Sequence, residues 1–152
     1  MSMITVVVEE RFAKVNGVMV SLGTVTVDLP LIEVQAERAA VLTAEVEAAV
    51  DAAYPGREQT LLTLDLAELH QAMRPDSGAD LSLVTGDVFS RLVGAVEWVK
   101  AARRLGADAE DACEAATTMD ALQAITVDIA SLGPPPLVRS RETRRALDLI
   151  SL

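Results

Sequence analysis

Asp65, Glu68 and His70 form the one compact cluster of acids and histidine in the chain. Carboxylates beside an imidazole are the groups that general acid–base catalysis and metal ligation draw on. On a helix, Asp65 and Glu68 share a face, whereas His70 points about 160° from Glu68 at 3.6 residues per turn. That spacing suits neither a metal site nor a catalytic dyad. A chain with one Cys and one His forms no Cys/His zinc set and no intrachain disulfide. Cys113 has Glu110, Asp111 and Glu114 beside it, an acidic setting that raises a thiol pKa, so it reads as a small packing residue. Neither a GxGxxG nor a phosphate loop with Lys occurs. Trp98, set among Val96 and Val99, reads as core, and Lys100, Arg103 and Arg104 suit a helix C-terminus. The expected catalytic, cofactor and metal residues are therefore none, and the chain reads as non-enzymatic.

The whole composition points the same way. At 152 residues the chain holds about one domain, able to bury roughly 68–70% of its unfolded surface. Apolar residues make up 51% and aromatics only 3%, so Ala, Val and Leu must build the core. A net charge of −10 argues against a nucleic-acid surface. Mean hydropathy of +0.31 in so acidic a chain implies apolar surface buried between subunits. The first ten residues lack the basic region of a signal peptide, and no run approaches the roughly 18 apolar residues that cross a bilayer. The expectation is cytoplasmic synthesis with Cys113 reduced, and no membrane partner.

Residues 4–15 and 18–29 are Val-rich runs joined by Asn16-Gly17, the favoured type I′ hairpin turn. A two-residue loop places Val15 opposite Val18 and Ile4 opposite Leu29, in a hairpin roughly 35–40 Å long. At its base one face carries Ile4, Val6, Val8, Val25, Val27 and Leu29. Nearer the turn the alternation reverses, putting Ala13, Val15, Val18, Val20 and Leu22 on the other face and calling for a bulge or twist near Glu9-Glu10 and Gly23. The apolar tip, Val15, Val18, Val20 and Leu22, is the candidate surface for a neighbouring subunit, although cover by the chain's own helices remains open.

The helical body follows. Asp28 or Leu29-Pro30 starts a helix that runs to about Tyr54, with Leu31, Val34, Leu42, Val46 and Ala49 or Val50 inward and Arg38 the polar break. Thr60 to Leu66 alternates like a strand, while Ala67 to Met73 prefers helix. Pro75-Asp76-Ser77-Gly78 is a loop. A helix over Asp87 to Leu105 turns Val88, Leu92, Val93, Val96 and Val99 inward and stops at Gly106. Ala109 to Ala116 then forms a shorter segment, and Thr117-Thr118 caps a helix over Met119 to Leu132. The domain expectation is a single α+β domain over 1–133, with hairpin 4–29 and helical body 30–133, followed by a proline-led basic tail over 134–152.

That tail holds Arg139, Arg141, Arg144 and Arg145 against Glu142 and Asp148, a net of +2 on a preceding chain of −12. Pro134-Pro135-Pro136 should hold it away from the preceding helix. Its arginines, with Leu147, Ile150 and Leu152 as apolar anchors, fit an acidic surface on another copy. The alternative is a last helix on its own domain.

The stretch from Trp98 to Ile129, with its Trp helix, Ala-rich turn, Thr pair and Leu/Ile helix, resembles C-terminal helical segments of bacteriophage tail-fibre accessory and assembly proteins. It covers about a fifth of the chain. The long Val-rich hairpin on a small helical body also looks like ring-forming phage head–tail connector and tail proteins. The resemblance implies a structural protein of a symmetric homo-oligomer, a virion or tail component without cofactors. The other reading is an acidic soluble inhibitor, an immunity protein or DNA mimic, whose carboxylates occupy a basic partner.

Overall fold

The protein is described here by a computed structural model covering residues 1–80 and 86–150, without the side chain of Ser140. It is an α+β chain: an N-terminal antiparallel hairpin leads into a body of five helices. The strands are β1 (Met3–Val15) and β2 (Val18–Pro30), and the turn between them has Asn16 and Gly17 both at positive φ, 50° and 84°. A type I′ turn needs those two angles, and Asn and Gly are the residues that tolerate them.

Val15 pairs with Val18 and Ile4 with Leu29, yet the ladder between them is broken twice. Val8 has no partner opposite it on β2, and Leu22 has none on β1. Each is a bulge, one on either strand, so the register slips by one residue and then recovers. The breaks fall where the alternation of the sequence reverses.

Helix α1 (Leu31–Ala53) starts immediately after Pro30. Asp28 does not cap it: its carboxylate accepts the Thr5 hydroxyl at 2.6 Å, across the hairpin. Helix α2 (Gly56–Ala72) follows Pro55. The strand-like alternation of Thr60 to Leu66 is thus helical, with Leu62, Asp65 and Leu69 buried at helical spacing. Helix α3 (Gly86–Ala115) runs without a break through Gly106, where a stop was expected, and absorbs the separate segment from Ala109. Gly106 serves packing instead, for a Cβ there would lie 3.3 Å from Val46 Cγ2. Its buried stripe is Leu92, Ala95, Trp98, Ala102, Ala109 and Cys113, whereas Val93, expected inside, is exposed.

Helix α4 (Met119–Ala124) is shorter than expected. Thr118 caps it by accepting from the Ala121 amide at 3.2 Å, but the β-branched run Ile125-Thr126-Val127 ends it. Asp128 then caps a separate 3₁₀ turn, Ile129–Leu132. Helix α5 (Ser140–Ile150) closes the described chain, and Leu152 lies outside the described residues.

The chain divides into two compact units. The first, 1–44 with 107–127, has a core of Ile4, Val34, Ala39, Leu42, Ala109, Cys113 and Leu122. Polar groups close its helix ends. Gln35 donates to the carbonyls of Glu114 and Ala116 at 2.9 and 2.7 Å, at the C-terminus of α3. Arg38, the polar break in α1, donates to the carbonyls of Leu122 and Ile125 at 3.2 and 2.6 Å. Carbonyls at a helix's C-terminal end lack partners within the helix; that of Leu122 also accepts the Ile125 amide at 3.3 Å, and the guanidinium supplies the partner for that of Ile125.

The second unit, 45–106 with 128–152, buries Val46, Val50, Leu62, Leu69, Leu92, Ala95, Leu147 and Ile150. Trp98 meets Tyr54 edge-on, with centroids 6.1 Å apart, and its indole N–H donates to the Gly133 carbonyl at 3.0 Å. The Tyr54 hydroxyl donates to the Pro136 carbonyl at 2.6 Å, and burial pushes its pKa up to about 12. The three prolines therefore do not hold the tail off: Pro136 lies against Tyr54 and Gly94 of the same unit, and α5 packs back onto α2.

Candidate functional site

Within the first unit the hairpin is anchored only at its base. Ile4 is buried in the core, with Val6 and Leu29 packed beside it, and α4 lies against β1. Beyond the base the ribbon is open. Val18, Met19 and Leu22 are 64, 63 and 65% exposed, and Val7, Val8, Phe12, Val15 and Val20 are exposed too. Among the described residues, the candidate tip residues Val15, Val18, Val20 and Leu22 are thus all exposed.

The paired bulges decide which of these residues act together. Paired residues share a face, and faces alternate along an unbroken strand. Following β2 past Val8 and β1 past Leu22 gives one face with the pairs Ile4–Leu29, Val6–Val27, Glu9–Val25, Arg11–Gly23, Ala13–Val20 and Val15–Val18. The apolar tip and the apolar base therefore lie on the same face, where uninterrupted alternation put them on opposite faces. The other face carries Val7–Thr26, Glu10–Thr24, Phe12–Ser21 and Lys14–Met19. Met19 extends the candidate surface along β2, and the sequence pattern signals it only once the bulges are placed.

The strands differ in charge. On β1 are Glu9, Glu10, Arg11 and Lys14, with Arg11 Nε 3.5 Å from Glu9 Oε1 at the surface. On β2 no charged residue occurs from Val18 to Val27.

The tail residues sit elsewhere, in the second unit. Arg144 donates to Asp65 Oδ1 at 2.8 Å and to Glu68 Oε2 at 2.7 Å, joining α5 to α2. Leu147 and Ile150 are buried, as are Thr143 and Ala146. The acidic surface that Arg144 meets thus belongs to its own chain, and the anchors expected for another copy are used within it. Arg139 pairs with Glu142 at 3.3 Å on the same helix, and Arg141 and Arg145 remain exposed, lining a shallow groove with Leu61 and Asp65.

The same pairing explains the acidic cluster. Asp65 and Glu68 do share a face, and that face holds Arg144, while His70 is exposed on another. Asp65 is only 3% exposed; burial raises its pKa, Glu68 adds to the rise, and Arg144 pulls it back. Cys113 is fully buried in the first core, and burial, more than the nearby Glu110, pushes its thiol up. A depression at the end of α2 is lined by Glu68, Arg74 and Asp76, but these are engaged with Arg144 and with each other. Among the described residues no group of three or more acid, Cys or His side chains could hold a metal ion. Among them, too, no helix is long and apolar enough to cross a membrane. No protein-family model, curated protein or solved structure matches the chain.

Proposed function

We propose that this chain is a non-enzymatic assembly protein of a symmetric oligomer, with the hairpin as the arm through which copies meet. A phage-like virion or tail component is its most concrete form, in keeping with the sequence resemblance of the hairpin and of Trp98–Ile129. The observation that carries the reading is the open ribbon. An isolated two-stranded hairpin is at best marginally stable in water and gains stability from further strands or a covering layer. Here 13-residue strands expose Val, Met, Leu and Phe on both faces beyond the base. A monomer keeps that apolar surface in water, whereas an assembly removes it.

Native mass measured across a wide concentration range tests the proposal. Self-association is expected for the natural chain, with Val18→Asp/Val20→Asp weakening it while thermal unfolding of the helical body stays in place. A charge buried at a subunit contact costs several kcal/mol unless it is paired. A natural chain that stays monomeric at high concentration with an ordered hairpin refutes the reading. So does a double variant that loses folding and association to the same extent.

A further inference from the structure

We infer that the contact is made by the outer edge of β2, which pairs antiparallel with β2 of a second copy into a continuous four-stranded sheet. This rests on the assembly reading above and specifies its surface and partner. A two-stranded sheet has two free edges, each presenting backbone N–H and C=O groups that another strand can satisfy. Proteins blunt such edges with charged side chains, proline, bulges or a covering element.

The two edges here are treated unequally. The β1 strand carries Glu9, Glu10, Arg11 and Lys14, and α4 lies against it. The β2 strand runs for ten residues, Val18 to Val27, without a charge or a proline, and its exposed residues include Val18, Met19, Val20 and Leu22. Its one irregularity, the bulge at Leu22, leaves regular runs on both sides. Charge also selects the partner. Two β1 edges would bring four charged side chains of each copy into one ladder, and charged side chains are the device that blunts an edge. Two β2 edges bring none together.

Register supports the same pairing. A two-fold axis between Leu22 and Gly23 sets Val18 opposite Val27 and Val20 opposite Val25. All four lie on the face that the bulges make common to base and tip. Met19 then meets Thr26, and Ser21 meets Thr24, on the other face. An isologous contact of this kind closes a dimer, the unit from which a larger symmetric assembly can be built.

The test compares cross-strand partners. Ser21→Lys/Thr24→Lys adds charge to the β2 edge, and Glu10→Lys/Phe12→Lys places it at the same level and on the same face of β1. The β2 pair should weaken association about tenfold or more, since each lysine meets its like across the two-fold axis. The β1 pair should leave it within about threefold. Hydrogen exchange on the unaltered chain gives a second readout that needs no variant. Amides of residues 18–27 should gain protection as concentration rises, and those of residues 5–14 should not. Association that survives the β2 lysines but falls with those on β1, or protection that rises along β1, overturns the edge assignment and leaves the assembly reading intact. A chain monomeric at every concentration overturns both.

Discussion

Replacing Arg144 with methionine removes the guanidinium and keeps most of the apolar stem. Arg144 joins α5 to α2 through two charge-assisted bonds, at 2.7 Å to Glu68 and 2.8 Å to Asp65. Its bond to Glu68 lies half in solvent, where an ion pair is worth about 0–1 kcal/mol. The bond to Asp65 matters more, because that side chain is only 4% exposed and would be left without its cation. Breaking a fully buried pair costs about 3–5 kcal/mol, but Arg144 itself is 43% exposed, so screening reduces the cost. A total loss of about 2–3 kcal/mol follows, or about 6–9 °C in Tm for a chain of this size. The loss must depend on pH. The Asp65 pKa already stands above its usual range, chiefly through burial, and Arg144 is what restrains it. A carboxyl raised in the folded state leaves stability intact below the unfolded pKa of about 4 and removes it as pH rises through the folded value. Arg144→Met should therefore unfold early at neutral pH and approach the unaltered chain near pH 4, as read by urea titration at both. Asp65→Asn/Arg144→Met removes the stranded charge and should recover much of the loss. Equal destabilisation at both pH values, or a double variant no better than the single, refutes the assignment.

Arg38→Met should cost about 1–3 kcal/mol, because it strands the Ile125 carbonyl and leaves that of Leu122 with the Ile125 amide alone, with exchange at residues 118–125 accelerating first. Gly106→Ala should destabilise by about 1 kcal/mol despite alanine's higher helix propensity, since Val46 is buried beside it; Val46→Ala should relieve the clash. Cys113 should resist a thiol reagent at neutral pH until the chain unfolds, because burial removes access and disfavours the thiolate, and rapid labelling of the folded protein would contradict its placement.

The hairpin was legible because its signals are local: Asn16-Gly17 fixes the turn, and Val alternation on both sides fixes the pairing at either end. The reversal of alternation located the bulges but not their distribution, since one extra residue at Val8 and another at Leu22 are defined only by the partner strand. Gly106 reads as a stop because glycine weakens a helix, yet the missing side chain is what Val46 needs, and tertiary packing overrode propensity. The break after Ala124 had visible signals in Ile125-Thr126-Val127 and in Asp128 as a cap. The clasp of Arg144 on Asp65 and Glu68 had none, because 79 and 76 residues separate the partners.

Where the charges go bears on where copies can meet. In the second unit they are turned inward upon its own helices. Arg144 binds α2, Arg103 binds Glu47 on α1 at 3.1 Å, and Arg91 binds Asp87 at 2.7 Å with Glu142 of α5 at 3.7 Å. With Leu147 and Ile150 buried as well, releasing α5 to another copy would break its contacts with α2 and Arg91 only to remake them, at the added cost of translational freedom. The hairpin of the first unit has no such self-satisfaction. Among the described residues, its outer apolar side chains stay exposed and its β2 edge pairs with no third strand, so association there would add interactions. On the assembly reading proposed above, the drive to associate therefore belongs to the uncharged strand, whereas Arg144, Leu147 and Ile150 of the basic tail hold its own fold.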